Sequence, residues 1–362
     1  MWPDRRLLDL IGIEIPVIQA PMAGANGSAM VIAVSEAGGL GSLPCGMLDA
    51  AKVQAEITAI RQRTAKPFNI NFFCHAPPEP DPERDAAWKR QLAPYLAELG
   101  LDAAAPAPAV NRAPFDEAMC EVVEEYKPAV VSFHFGLPEP ALVNRVKAAG
   151  CLVLSSATTV EEARWLEHHG CDAIIAQGCD AGGHRGMFLT DDIATQPGTF
   201  ALIPQVVDAV QVPVIAAGAI ADGRGLAAAF ALGATGAVIG TAYLFTPESL
   251  ISAIYRAALH AARDDQTALT NVFSGRPARG LMNRVMREVG PMSDRSPAYP
   301  TAGQALAPLK AQAEAAGSGD FSSLWSGQAA SLGREIGAGD LTRQLAADAK
   351  LRLKALSSPL FH

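Results

Sequence analysis

The chain has 362 residues, 49% of them hydrophobic and 18% charged, which is ordinary composition for a globular protein. Its formal net charge of −8 at pH 7 argues against a nucleic-acid or anionic-membrane partner, because such partners favour basic surfaces. At this length we expect one α/β barrel of about 250 residues, with roughly 100 residues added to it.

The N-terminal segment lacks the pattern of a secretory signal, because Asp9 and Glu14 interrupt its apolar residues. No apolar run reaches about 18 residues, the length that a membrane span requires. The six cysteines are scattered without a CxxC pair, which is typical of free thiols in a reducing compartment. We therefore expect a cytoplasmic protein that has neither a membrane nor a nucleic acid as its partner.

In chain order, the dominant pattern is a short apolar strand, a loop marked by Gly or Pro, and an Ala-rich helix. This alternation predicts a parallel sheet that is covered on its outer face. Eight strands are predicted, at 15–22, 39–44, 67–73, 129–135, 151–157, 173–178, 213–219 and 236–244. Helices are predicted at 28–37, 51–61, 139–149, 160–169, 200–209 and 223–232. Several of them are followed by a glycine suited to a left-handed C-cap, namely Gly38, Gly150, Gly170 and Gly233.

Eight successive βα units predict a closed (β/α)₈ barrel, or TIM barrel, of the α/β class. The alternative is an open Rossmann sheet, which would carry GxGxxG directly after its first strand. This chain has APMAGANG at 20–27 instead, and the glycines of AGGLG at 37–41 enter a strand rather than leave one. These two observations favour the barrel.

Two segments interrupt the βα repeat. Residues 75–118 are rich in Pro and Ala, including APAPAV at 105–110, and are predicted to form a long βα loop with one helix at 86–99. Residues 262–332 are punctuated by Pro and Gly and are predicted to form a mostly helical cap with two short helices. The predicted domains are a barrel at 1–261, a cap at 262–332, and a segment at 333–362 whose helix, at 340–356, packs on the barrel.

The site is expected at the C-terminal ends of the barrel strands, where the active sites of such barrels lie. Glycines end the last two strands, in AAGAIADG at 216–223 and GAVIGTAY at 236–243. Gly218 and Gly240 are predicted to stand directly before helices whose free N–H groups bind phosphate, with Asp222 as an N-cap. Tight βα turns alone would also explain these glycines, but their occurrence on adjacent strands favours a phosphate site.

Asn71 and Gln177 are amides within otherwise apolar strands, where an unpaired polar group is costly. A carboxamide matches the alternating C=O and N–H groups along the edge of a flavin ring. The alternative is that neighbouring backbone groups satisfy each amide.

His134 ends a strand between two phenylalanines, and such apolar surroundings keep an imidazole neutral and able to accept a proton. It is therefore the candidate catalytic base, although a strand histidine is often a satisfied core residue. His75 and His184 are secondary candidates, for contact with the substrate. The three histidines together lack HExxH spacing and a nearby carboxylate, so no metal is predicted. Arg185 in AGGHRG and Tyr299 in the cap are candidates for substrate contact.

Taken together, the motifs resemble those of the nitronate monooxygenases, formerly called 2-nitropropane dioxygenases. The resemblance runs from about residue 12 to residue 245, with LWSGQAA at 324–330 in the cap. Its motifs are APMAG (20–24), NINFFCH (69–75), SFHFGLP (132–138), SSATT (155–159), AQGCDAGGHRG (176–186), AAGAIADG (216–223) and GAVIGTAYL (236–244). NINFFCH and SFHFG point to the class I branch. The family motif has Glu before AGGHRG, where this chain has Asp180, and the negative charge is kept.

The resemblance implies a TIM barrel with non-covalent FMN that oxidises an alkyl nitronate or nitroalkane, such as propionate 3-nitronate, with O₂. It implies that His134 is the catalytic base. The positions implied to contact FMN are Met22, Ala23, Gly24, Asn71, Gln177, Gly182, Gly218, Ala219, Gly240 and Thr241. Two other functions stay open: an NAD(P)H-dependent quinone or enoyl-thioester reductase, and a catalytically silent flavin-binding protein. The chain has no dedicated NAD(P)H motif. Its oligomeric state is left open, and a homodimer is one of the possibilities.

Overall fold

The computed structural model of the chain describes residues 2–102 and 112–357. Its eight barrel strands fall where the sequence predicts them, although most are shorter than their predicted ranges, and three further strands were not predicted. In chain order they are β1 (Val17–Gln19), β2 (Gly41–Pro44), β3 (Phe68–Phe73), β4 (Val130–His134), β5 (Leu152–Ala157), β6 (Ala173–Gln177), β7 (Gly183–His184), β8 (Val214–Ala217), β9 (Gly236–Ile239), β10 (Thr267–Thr270) and β11 (Ala278–Leu281).

Eight of these strands form one parallel sheet in the order β1-β9-β8-β6-β5-β4-β3-β2. The two ends of that order meet through a parallel bridge between Ile18 and Leu40. There the N–H of Gln19 donates to the Leu40 carbonyl at 2.9 Å, and the N–H of Leu40 donates to the Val17 carbonyl at 3.0 Å. The sheet is therefore closed, and the predicted barrel is confirmed.

The helices alternate with the barrel strands as predicted, and each predicted interstrand helix lies within two residues of an observed one. The helices are α1 (Arg6–Ile11), α2 (Ser28–Glu36), α3 (Ala50–Arg61), α4 (Pro82–Glu98), α5 (Glu117–Tyr126), α6 (Pro140–Ala148), α7 (Val160–His168), α8 (Thr199–Val207), α9 (Gly223–Ala231), α10 (Ala253–His260), α11 (Arg284–Val289), α12 (Ala302–Ala315) and α13 (Ala338–Ser357). The four predicted C-cap glycines all have positive φ, between 87° and 95°.

The main hydrophobic core joins the barrel strands to the surrounding helices. It contains Ile70 and Val131 of the strands and also Leu341 of α13. Helix α13 packs against α9 and α2. Gly223 at the start of α9 permits this close approach, because a Cβ there would overlap Asp348 of α13.

The cap contains a small antiparallel sheet that the sequence pattern did not predict. Strand β10 pairs with β11, and β11 pairs with β7, which follows the barrel strand β6. The register of the second pair sets Ala278 opposite His184 and Arg279 opposite Gly183. A barrel loop is thus hydrogen-bonded directly to the cap.

The long loop after β3 also contributes to the cap. Its helix α4 begins at Pro82, four residues before the predicted start, because Asp81 caps it by accepting from the N–H of Arg84. Trp88 of α4 donates to the Ala302 carbonyl at 3.0 Å, and α4 shares a second hydrophobic core with α12. The APAPAV part of the predicted loop lies outside the described residues.

None of the described helices is both long enough and apolar enough to cross a membrane. All six cysteines are free thiols. Cys45, Cys120, Cys151 and Cys171 are buried, and the other two are half-buried. Burial raises the pKa of the Cys151 thiol to about 11, so this thiol is inert at neutral pH.

Candidate active site

A cavity of about 520 Å³ opens at the C-terminal ends of the barrel strands and continues beneath the cap. His134 lies in its wall, together with cap residues such as Tyr255 and Trp325. All of the predicted cofactor contacts also line it: Met22, Ala23, Gly24, Asn71, Gln177, Gly182, Gly218, Ala219, Gly240 and Thr241. The sequence therefore located the cavity correctly.

One end of the cavity is built from backbone turns. Gly218 and Ala219 both have positive φ, 129° and 52°, which turns the chain sharply after β8. The N–H groups of Ala219, Gly240 and Thr241 donate to no acceptor within the described chain. Free N–H groups that converge on a cavity suit an anion such as a phosphate.

The predicted link between Gly218 and a helix is wrong. Gly240 directly precedes a 3₁₀ turn at Thr241–Phe245, but α9 begins only at Gly223, five residues after Gly218. Asp222 does cap α9, as predicted, because its carboxylate accepts from the N–H of Arg224 at 2.8 Å. The free N–H groups therefore belong to the two βα turns and not to the end of α9.

A loop of the cap closes this end of the cavity. The N–H of Gly327 donates to the Thr241 hydroxyl at 3.0 Å. A Cβ on Gly182 would overlap the Gly327 backbone, so the two loops approach as closely as glycines allow. Asp180 accepts from the N–H of Thr199 at 2.6 Å and so holds the start of α8.

The opposite part of the wall carries buried amides from β3. Asn71 donates to the Ser132 hydroxyl at 2.9 Å and to the Ser132 carbonyl at 3.1 Å. Asn69 donates to the same hydroxyl at 2.8 Å, and its Oδ1 atom is buried without a donor in the described residues. Asn69 was not among the predicted contacts, but its two-residue spacing from Asn71 places both side chains on one face of the strand.

Gln177 lies in the cavity wall, yet neighbouring backbone occupies most of its amide. Its Oε1 atom accepts from the N–H of Gly186 at 2.7 Å, and its Nε2 atom donates to the His184 carbonyl at 3.0 Å. One N–H of the amide is left for a ligand. Gln177 therefore holds the loop that follows β6. This agrees with the alternative interpretation, in which neighbouring backbone groups satisfy the buried amide.

The prediction that Arg185 contacts substrate is wrong. Its side chain is fully buried and does not reach the cavity wall. The guanidinium donates at 2.6 Å to each of the Gln177 and Gly178 carbonyls and at 3.1 Å to Gln196 Oε1. Arg185 is thus a structural support for the loop, because each of its three nitrogens donates to a group inside the protein.

Both ring nitrogens of His134 have a partner. Nε2 lies 3.1 Å from the His184 carbonyl oxygen, and Nδ1 lies 3.1 Å from the Ser156 hydroxyl oxygen. Burial lowers the pKa of His134 to about 4, with help from the positive charge of Arg276. The ring is therefore neutral at pH 7, as a proton acceptor must be.

The other predicted substrate residues form an aromatic cluster beside His134. His184 lies in the cavity wall, and its Nε2 atom is 2.8 Å from the Ser274 hydroxyl. His75 and Tyr299 pack edge to face with ring centroids 4.7 Å apart, and neither contributes to the cavity wall. Phe135 contacts both rings at centroid distances of 6.3 and 5.4 Å. His75 and Tyr299 therefore pack behind the cavity wall and are not part of it.

Two arginines beside this cluster were missed by the sequence reasoning. Arg112 lies in the cavity wall with its guanidinium 5.8 Å from the centre of the Tyr299 ring. Arg276 stacks on Phe135 at 4.1 Å. Burial lowers the pKa of His75 to about 4, and the charge of Arg276 adds to that effect. Two cations beside neutral histidines make this end of the site favourable for an anion.

A cavity at the C-terminal strand ends of a closed parallel barrel is where enzymes of this fold place their chemistry. Backbone turns with free N–H groups and a buried neutral imidazole lie in one such cavity, an arrangement typical of a barrel enzyme. The sequence model of the nitronate monooxygenase family matches residues 4–348. The chain belongs to this family and is an oxidoreductase.

The chain is also similar to a curated protein and to solved structures over nearly its whole length. A nitronate monooxygenase of Pseudomonas aeruginosa is 43% identical over 94% of this chain and 97% of its own length. The crystal structure of a nitroalkane oxidase from Streptomyces ansochromogenes is 39% identical, covers 97% of this chain and 100% of its own, and superposes with a TM-score of 0.88. FabK from Thermotoga maritima is 30% identical over 98% of this chain and 99% of its own, with a TM-score of 0.75.

Proposed function

We propose that this chain is a cytoplasmic, FMN-dependent enzyme that oxidises alkyl nitronates, such as propionate 3-nitronate, with O₂. Its membership of the nitronate monooxygenase family supports the oxidation of nitronates. One observation carries the proposal. The same cavity contains the backbone turns with free N–H groups at Gly218–Ala219 and Gly240–Thr241 and the neutral ring of His134. That pairing suits a phosphorylated cofactor beside a proton acceptor.

The chemistry of the cavity wall fits FMN. The free N–H groups of Ala219, Gly240 and Thr241 would hold the phosphoryl group. The orphaned Oδ1 atom of Asn69 would accept a hydrogen bond from an N–H of the flavin ring, which would satisfy a buried acceptor. The remaining N–H of Gln177 would donate to a ring carbonyl or ring nitrogen.

FMN, when bound, supplies the redox chemistry that links the nitronate to O₂. His134 is the base that ends up with the acidic α-proton when the substrate is a neutral nitroalkane. Arg112 in the wall and Arg276 behind Phe135 favour the anionic nitronate electrostatically. The cap loop at Gly327 closes over Thr241 and keeps water from that end of the site.

Anaerobic reduction of the purified, FMN-loaded protein tests this function. We expect propionate 3-nitronate to bleach the flavin absorbance rapidly, and NADH or NADPH to bleach it slowly or not at all. Rapid bleaching by the nicotinamides alone would instead favour a reductase on the same barrel. Protein that stays colourless and takes up no FMN would overturn the proposal altogether.

A further inference from the structure

The hydrogen bonds around His134 fix which ring nitrogen carries its proton. A carbonyl oxygen only accepts hydrogen bonds, so the contact between Nε2 and the His184 carbonyl requires a proton on Nε2. In the neutral ring, Nδ1 then holds the lone pair and accepts from the Ser156 hydroxyl at 3.1 Å. The basic nitrogen of His134 therefore faces Ser156.

The surroundings hold the ring in this orientation. The same His184 carbonyl accepts from Gln177 Nε2 at 3.0 Å, which fixes the position of the acceptor. Gly186 packs closely against His134 and Ser156, since a Cβ there would be 2.9 Å from both His134 Cε1 and Ser156 Cβ. Phe135 covers another side of the ring, with centroids 4.6 Å apart. Rotation of His134 away from Ser156 would break both of its hydrogen bonds.

Ser156 lines the cavity and its hydroxyl contacts the basic nitrogen of His134. It is on β5, lies in the cavity wall and is 7% exposed. His134 Nδ1 is the one hydrogen-bond partner of its hydroxyl within the described residues. Its oxygen lone pairs are thus free to accept a proton from a bound molecule, while its own proton points at His134.

We propose that the Ser156 hydroxyl relays the α-proton of a neutral nitroalkane to Nδ1 of His134, which makes Ser156 a catalytic residue. This inference rests on the proposed nitronate chemistry. The C–H bond breaks, and its electron pair becomes the C=N bond of the nitronate while negative charge moves onto the nitro oxygens. The released proton bonds to Ser156 Oγ as the serine's own proton bonds to Nδ1. The serine hydroxyl is restored, and His134 becomes an imidazolium that later returns its proton to solvent.

A direct transfer to His134 is the alternative, and the geometry opposes it. A substrate carbon would reach Nδ1 only after displacing the Ser156 hydroxyl from its one partner. It would reach Nε2 only after displacing a carbonyl that a second donor, Gln177, also holds in place. The relay requires neither the Nδ1–Ser156 nor the Nε2–His184 hydrogen bond of His134 to be displaced.

The test compares nitroethane with its preformed anion, ethyl nitronate, as substrates of the FMN-loaded Ser156→Ala variant. Only nitroethane needs its proton removed, so we expect its kcat/KM to fall about 100-fold, the scale of a lost proton-transfer group. The kcat/KM for ethyl nitronate should stay within about threefold of wild type. Equal losses on both substrates, or no loss on nitroethane, would overturn the relay.

Two further variants serve as controls for Ser156→Ala. Ser156→Thr keeps a hydroxyl and should retain most of the nitroethane activity. Ser155→Ala removes the neighbouring hydroxyl, which donates to the Gly136 carbonyl at 2.8 Å on the other face of β5. It should change both substrates alike, and a selective loss on nitroethane in this variant would contradict the assignment.

A measurement without turnover completes the test. Loss of deuterium from 1,1-dideuteronitroethane, followed without O₂, reports the proton step alone. It should be slow in Ser156→Ala and fast in Ser156→Thr, and equal rates in the two variants would overturn the relay. If the wild-type protein oxidises neither nitroethane nor ethyl nitronate, the proposed function itself fails. If it oxidises both and Ser156→Ala does so equally well, only the relay fails.

Discussion

Gly218 and Thr199 approach each other so closely that a Cβ on Gly218 would overlap the Thr199 hydroxyl. Gly218 also has a φ of 129°, a conformation that other residues rarely adopt. Its neighbour Ala219 lines the cavity and has an N–H that donates to no acceptor within the described chain. The contact thus ties the shape of the proposed phosphate turn to the start of α8.

Gly218→Ala should therefore lose FMN. The added methyl group must push either the turn or Thr199 aside, which moves the N–H groups that would hold the phosphoryl group. We expect FMN affinity to fall at least about tenfold, measured by the change in flavin fluorescence on titration.

Gly150→Ala is the matched control for this variant. Gly150 also has a positive φ, of 87°, but a Cβ there would meet no atom within 4 Å. Both variants place a Cβ on a residue with positive φ, which costs about 1–3 kcal/mol, yet only one lies at the cavity. Equal FMN affinities for the two variants would remove the Gly218 turn from the proposed cofactor site.

His134→Ala tests the base. We expect the variant to keep FMN and to lose about 100-fold or more in kcat/KM for nitroethane, with a much smaller loss for ethyl nitronate. His75→Ala is the control, because His75 lies in the same aromatic cluster but outside the cavity wall. Wild-type rates on nitroethane in His134→Ala would show that another group takes the proton.

Arg185→Gln tests whether Arg185 supports the structure or contacts a bound ligand. The change leaves the Gln177 and Gly178 carbonyls without their donors, and each buried unpaired group costs about 1–3 kcal/mol. We expect a lower free energy of unfolding in urea. The ratio of the KM values for ethyl nitronate and nitroethane should stay unchanged, because no ligand charge contacts Arg185.

Arg185→Lys gives the decisive comparison. Lysine keeps the positive charge but cannot donate to three separated acceptors as the planar guanidinium does. It should be destabilised nearly as much as Arg185→Gln. A lysine variant with wild-type stability, together with a selective rise in the nitronate KM for Arg185→Gln, would restore the ligand role.

The sequence predicted the barrel well because local patterns determine most of it. Buried parallel strands are continuous apolar runs, and glycines such as Gly150 and Gly233 mark where helices end. These signals need no knowledge of distant residues. The glycine-rich ends of β8 and β9 located the cavity for the same reason, since a close approach of backbone to a ligand requires small residues.

What the sequence could not predict depends on contacts between distant segments. Trp88 donates to the Ala302 carbonyl across 214 positions, so nothing local indicates that α4 belongs to the cap core. Strand β7 has two residues, too few for a recognisable alternation. Arg185 looked like a ligand because its three acceptors, which include the Gln177 carbonyl, become neighbours only when the loop folds back.

The buried histidines predict how stability depends on pH. Burial lowers the folded-state pKa of His75 and of His134 to about 4, and that of His184 well below its usual value of 6.5. Between pH 6.5 and pH 4 the unfolded chain therefore binds more protons than the folded one. Stability is fully present above pH 6.5 and is lost as the pH falls, by about 2 kcal/mol for each of His75 and His134 between pH 7 and pH 5. The lowered pKa of His184 acts in the same direction.

Urea unfolding of the FMN-free protein at pH 7, 6 and 5 measures this dependence. His75→Phe should reduce the loss by the share of one histidine, because phenylalanine fits among Phe73, Phe135 and Tyr299 and cannot be protonated. His168→Phe, on the exposed surface of α7, is the control for the chemical change from histidine to phenylalanine. If the free energy of unfolding were the same at pH 7 and pH 5, the histidines would not be buried in neutral form, and the basis for His134 as a proton acceptor would be lost with them.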